Sequence, residues 1–294
     1  MTYAIRNLTL AEVETAVDWA AAEGWNPGLH DAACFYAVDP TGFWGGFVGE
    51  DLVATLAAVK YGEGFGFIGL YIVKPEFRGN GLGMALWNAG MATLQGRRIG
   101  LDGVPAQQAN YGRSGFVLAH NNIRFAGTVD AALTPAQAEP AVDEGIVPLA
   151  GLPDQMVLDY DRPFFPDDRQ EFLRHWVRQP GAVALGLLRG GGQDSLAGGL
   201  AGYGVLRPCL TGYKIGPLVA DTADGAERIF KALARRVAPG AAVFLDVPAV
   251  NTAALALAQR HGMQAAFETA RMYTGAAPDL PLQRLFGITS FELG

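Results

Sequence analysis

Apolar and polar positions change period several times along the 294 residues, and each change marks an element. A short strand is predicted over residues 3–6. Val13, Ala16, Val17 and Ala20 then recur at helical spacing across residues 11–22, with Thr9 placed to cap the first turn and Gly24 to stop the last. After the turn Trp25-Asn26-Pro27-Gly28 the pattern becomes strand-like. Residues 44–48 and 52–59 flank Gly49-Glu50-Asp51 as a hairpin, and 65–73 form a further strand. Pro75 ends that strand because it lacks the amide hydrogen a ladder requires. Helical spacing returns over residues 83–94, followed by a strand at 98–102.

The second half repeats this order. Residues 182–188 and 196–206 flank a glycine-rich loop at 189–195, residues 213–219 parallel the strand ending at Val73, and a helix is predicted over 223–237. Residues 243–248 echo 99–105, and Arg260-His261-Gly262-Met263 mirrors Arg113-Ser114-Gly115-Phe116. Two copies of one α/β module are the expected fold. Residues 130–145 hold two prolines and no periodicity, which predicts a division into a first module at 1–130, a linker at 131–145 and a second module at 146–294. Leu285, Phe286, Ile288 and Phe291 give the tail enough apolar surface to dock.

Composition narrows the partners. Half of the residues are hydrophobic and 17% are charged, as in folded domains rather than disordered chains. A net charge of -7 argues against nucleic acid, whose binding needs a concentrated basic surface. No apolar run approaches the roughly 20 residues of a spanning helix, and the N-terminus lacks the basic and apolar segments of a secretory signal. A cytoplasmic protein without a membrane partner is expected. Cys34 and Cys209 form no CxxC pair, and His30, His120, His175 and His261 are scattered, so neither a disulfide framework nor a metal site is expected.

The candidate chemistry lies at Arg78-Gly79-Asn80-Gly81-Leu82-Gly83, directly after a strand and opening a helix. Glycines there let backbone amides approach an anion, and the helix dipole adds positive potential. Met84-Ala85 follows Gly83, so the Lys-Ser/Thr of a Walker loop is missing. A dinucleotide fingerprint fits poorly, because Lys74-Pro75-Glu76-Phe77-Arg78 separates the strand from the glycines. It leaves an oxidoreductase as a minor alternative.

The stretch from Val73 to Gly83 resembles the signature of the GCN5-related N-acetyltransferases, Arg/Gln-x-x-Gly-x-Gly/Ala after a strand and proline. Tyr111-Gly112-Arg113-Ser114-Gly115-Phe116 resembles the same family's second signature, and the whole chain is similar to its tandem two-domain subgroup. The resemblance implies modules with mixed, mostly antiparallel twisted sheets flanked by helices. It also implies acetyl-CoA as co-substrate, with a small-molecule primary amine as acceptor, attacking the thioester directly. The backbone of Tyr71, Ile72 and Val73 would hold pantetheine, and the amides from Arg78 to Gly83 the pyrophosphate. A backbone amide near Ile72 or Val73 would stabilise the oxyanion. Tyr111 would protonate the leaving thiolate, or else is a packed aromatic.

Asn110, with Gln107 and Gln108, is a candidate cofactor or acceptor contact or a helix cap. Glu23, Asp31 and Asp102 are candidate proton acceptors, and Trp25 and Asn26 candidate walls of the acceptor pocket. In the second module Asp221-Thr222-Ala223-Asp224-Gly225-Ala226 replaces the loop and Ala258 replaces Tyr111, so that copy is expected to be accessory. Arg271-Met272-Tyr273, on the last predicted strand, is a candidate to close the surface or else plain sheet packing. A non-catalytic acyl-CoA-binding module is the alternative to an enzyme, and a monomer or homodimer is expected.

Overall fold

The computed structural model describes residues 2–128, 145–190 and 198–294. The predicted linker therefore lies outside the described residues apart from Gly145. The first half runs β1 (Tyr3–Asn7), α1 (Leu10–Ala22), α2 (Asp31–Val38), β2 (Phe43–Val48), β3 (Asp51–Tyr61), β4 (Phe65–Val73), α3 (Leu82–Thr93), β5 (Arg98–Gly103), α4 (Gln108–Arg113) and β6 (Phe116–Thr128). The second runs β7 (Ile146–Pro148), α5 (Asp154–Asp161), α6 (Gln170–Trp176), β8 (Val183–Leu188), β9 (Leu200–Pro208), β10 (Tyr213–Ala220), α7 (Ala223–Ala234), β11 (Ala242–Pro248), α8 (Thr252–Arg260), β12 (Gln264–Thr274) and β13 (Leu285–Gly287).

Local chemistry explains the clearest boundaries. Thr9 and Glu12 form a reciprocal capping box at the start of α1, and Val13, Ala16, Val17 and Ala20 are buried as their spacing predicts. Thr222 caps α7 by accepting from the Gly225 amide.

The strands form one sheet in the order β1-β2-β3-β4-β5-β12-β6-β11-β10-β9-β8-β7, with β13 paired to β10 off this path. The order is a palindrome of the duplication, β1 answering β7 and β5 answering β11. Among the described residues only the β4–β5 and β10–β11 pairings are parallel. At the centre the halves exchange strands: β12 pairs with β5 over 100–103, and β6 pairs with β11 over 122–128. β12 and β6 also pair with each other. Neither half closes its own sheet.

Three apolar cores follow. α3 covers one face of the first half, where Leu86 and Trp87 pack on Leu56, Ile68 and Leu101. α7 and α8 cover the equivalent face of the second. The third core is shared, with α2 against α6 and Phe35 stacked on Trp176 at a centroid distance of 6.0 Å. Buried ion pairs join the halves: Arg207 to Asp31 at 3.0 Å and Arg124 to Asp246 at 2.7 Å, all with side chains at most 3% exposed.

Candidate active site

Parallel pairing of β4 with β5 stops at Ile68–Leu101. Beyond it β4 stays paired only with β3, through Ile72–Thr55 and Val73–Ala54, after a register shift near Leu70, whose φ is +46°. The edge of Tyr71, Ile72 and Val73 that faces β5 is thereby released. A cavity of about 700 Å³ occupies this splay, lined by these residues with Trp87, Leu101 and Tyr111.

The loop stands at the cavity's mouth, where Arg78 and Met84 line it. Gly79 and Gly81 have φ of +80° and +76°, in the left-handed region that favours glycine, with open space beside each. Gly83 serves packing instead: a β-carbon there would stand 2.6 Å from Tyr71 Oη and 2.8 Å from a Val73 methyl. Among the described residues, the amides from Gly79 to Met84 have no protein acceptor; those of Leu82, Gly83 and Met84 are left free by the first turn of α3, and those of Gly79 and Asn80 precede its cap. An anion at this mouth would supply one. Arg78 donates through Nε to Val73 O at 2.7 Å and pairs with Glu23 at 2.6 Å, both side chains being exposed.

Tyr111 packs on Trp87, ring centroids 5.7 Å apart, and its ring lies against Gly103. Burial pushes its pKa up to about 12, with Tyr71 adding to the shift, so the phenol keeps its proton at neutral pH. Asn110 borders the cavity, but its side chain accepts from Arg113 and donates to Gln107.

The predicted acceptor residues separate. Trp25 and Glu23 line the cavity. Asp102 also borders it, yet its carboxylate is fully shielded and accepts from Arg271 Nε and Nη2 at 2.9 and 2.5 Å and from Asn122 at 2.8 Å. Burial raises the pKa of Asp102 against the pull of Arg271, and its oxygens are already engaged by Arg271 and Asn122. Asp31 is corrected. It is fully buried outside the cavity, paired with Arg207 and accepting from the Gly28 amide at 2.7 Å. Asn26, also outside the lining, has φ +49° and clasps the second half through two 3.0 Å bonds to Thr211. Both are joints between halves, a role no local spacing signals.

Sequence reading missed the residues that the second half brings in. Phe267 and Thr269 enter on β12, and Phe291 and Glu292 on the tail. The tail's apolar residues signalled docking but not where.

The counterpart of the cavity in the second half is filled. β10 and β11 pair only through Tyr213–Ile215 with 243–245, and β13 enters the splay beyond. Leu218 lies opposite Gly287, and the Ile288 amide donates to Asp246 O on β11 at 2.9 Å. Asp221, where the anion loop would stand, is paired with Arg189 and Arg284 and accepts from Tyr160.

Residues 7–116 match the family model described as acetyltransferase (GNAT) family, and residues 157–287 match that of an acetyltransferase (GNAT) domain. The chain belongs to the GNAT family. This GNAT chain is 28% identical over 293 residues to the holothin acyltransferase of Pseudoalteromonas sp. (strain SANK 73390), covering all of its own length and 95% of that protein. Its fold is similar to that of an acetyltransferase-like protein of Pyrococcus horikoshii, with TM-score 0.80 and 23% identity over 99% of this chain and 96% of the other. It is also similar to a tandem GNAT protein from the clavulanic acid biosynthesis pathway, at TM-score 0.62 and 17% identity over 95% and 100%. Among the described residues no helix is long and apolar enough to cross a membrane.

Proposed function

We propose that this GNAT protein transfers the acetyl group of acetyl-CoA to a primary amine of a small molecule, with the first half (1–130) catalytic and the second (146–294) accessory. One observation carries the reading: the free β4 edge and Tyr111 line one cavity, with the glycine loop at its mouth between Arg78 and Met84, whereas β13 occupies its counterpart. The cavity's volume suits a cofactor arm and a small acceptor together. The Pseudoalteromonas relative, named holothin acyltransferase, supports an acyl acceptor that is a discrete compound.

In this reading the amides of Gly79, Asn80, Gly81, Leu82 and Gly83 bind the pyrophosphate, and the released edge of Tyr71–Val73 aligns the pantetheine. A backbone amide near Ile72 or Val73 meets the oxyanion, and Tyr111 returns a proton to sulfur. The test is incubation with acetyl-CoA, a panel of amines and a thiol reagent. Amine-dependent release of free CoA is expected. Stabilisation by NAD but not CoA in a thermal melt would sink the reading. CoA binding without turnover on any amine would leave a non-catalytic binding module in its place.

A further inference from the structure

The last residues of the chain place a carboxylate beside the cavity. Glu292 is 2% exposed, its two side-chain oxygens are shielded from solvent, and neither has a hydrogen-bond or ion-pair partner among the described residues. The segment that carries it is held firmly. Tyr61 Oη donates to Leu293 O at 3.0 Å, the Leu293 amide to Ser290 Oγ at 3.1 Å, and Arg169 to Thr289 Oγ1 at 2.9 Å. Phe291 packs on Phe267 with ring centroids 6.0 Å apart.

The main chain of Glu292 rests on β4. A β-carbon at Gly69 would stand 1.8 Å from the Glu292 carbonyl oxygen, so only glycine admits the tail. Gly69 directly precedes the bulge that releases Tyr71 and Ile72. Glu292 thus borders the cavity at the end where, on the reading above, the thioester carbonyl lies.

Arg124, Arg207 and Lys214 all feel Glu292. Arg124 is engaged with Asp246 and Lys214 Nζ with Asn26 O at 2.9 Å, whereas Arg207 reaches Asp31 through Nε alone, and its buried Nη1 and Nη2 have no hydrogen-bond partner among the described residues. A shielded carboxylate is costly without donors. An ammonium group arriving in the cavity would supply them.

We propose that Glu292 is the carboxylate that receives the acceptor ammonium and removes its proton, an inference that rests on the acetyl-transfer reading above. Because its oxygens are shielded, engagement includes rotation of the side chain toward the cavity. One ammonium proton passes to Glu292, and the freed nitrogen lone pair forms the C–N bond at the thioester carbon. The carbonyl π pair moves to oxygen and returns as the C–S bond breaks, its electron pair leaving with sulfur. The remaining excess proton on nitrogen ends on the thiolate by way of Tyr111, and Glu292 releases its own proton to water.

The test compares the full-length wild type with Glu292→Gln on two probe amines, tyramine, which is an ammonium at neutral pH, and aniline, which is already neutral there. CoA affinity is measured by calorimetry in parallel. Loss of the carboxylate should lower kcat/KM for tyramine by about 100-fold and for aniline far less, with CoA affinity unchanged and the acid limb of the tyramine profile removed. Tyramine turnover within about threefold of wild type and an unaltered pH profile would overturn the assignment. So would wild type that binds CoA yet neither binds nor acetylates either amine. Wild type that fails to bind CoA sinks the underlying reading instead. If Glu292→Gln does not fold, Glu292→Asp decides: a lower kcat at unchanged CoA affinity supports the role, and an unchanged kcat removes it.

Discussion

The splay between β4 and β5 and the splay between β10 and β11 come from one duplicated plan, and they have opposite contents. In the first, β4 parts from β5 after Ile68 and leaves a cavity with a glycine loop at its mouth. In the second, β10 parts from β11 after Ile215, and the tail's β13 fills the gap. The tail then continues to Phe291 and Glu292 on the wall of the first cavity. The filled splay thus anchors a segment that lines the open one.

The comparison can be broken most drastically by separating the halves. Residues 1–128 or 146–294 expressed alone would leave β5 or β11 without its exchanged neighbour and cut through the shared core. Neither piece should melt cooperatively by circular dichroism, and a first half that folds and binds CoA alone would show the exchange to be dispensable.

Arg271→Ala probes the joint at one point. Removing the guanidinium leaves Asp102 buried and unpaired, and the loss should be about 3–5 kcal/mol in urea unfolding. The neighbouring His120 gives a pH signature. Burial holds its pKa down to about 4, with Arg271 adding to the effect, whereas the unfolded side chain titrates near the ordinary value of about 6.5. The unfolded chain therefore binds the proton first, and stability should fall by roughly 3 kcal/mol as pH drops from about 6.5 to about 4. His120→Asn should flatten that part of the urea-midpoint profile relative to wild type.

Two substitutions sharpen the contrast at the sites themselves. Gly81→Asp adds both a negative charge and a side chain at φ +76°, and should weaken CoA binding by about 100-fold. Asp224→Lys in the counterpart turn, which is exposed, should leave affinity and a stoichiometry of one CoA per chain unchanged. A second equivalent of bound CoA in calorimetry would contradict the filled splay. The mildest change is Tyr111→Phe, for which kcat should fall about tenfold with CoA affinity intact.

Much of the fold was legible because its signals are local. The strand at Phe65–Val73, the Thr9 cap, and the helix after the glycine loop all follow from period, caps and turn chemistry. The loop's glycines were legible for the same reason, although Gly83 proves to be a packing position. The acceptor side was not. Asp31 and Asn26 sit beside Trp25 in sequence, yet they bond to Arg207 and Thr211, more than 170 residues away.

The sequence by itself determined the duplicated α/β plan, the placement of the glycine loop in the first copy and its loss in the second. These depend on residues a few positions apart, whose spacing sets backbone geometry directly. Tertiary structure alone decided the exchange of β6 and β12, the filling of the second splay and the arrival of Glu292 at the first. Those outcomes depend on which edges and buried charges meet across the sheet, and contacts between distant segments leave no period in the chain.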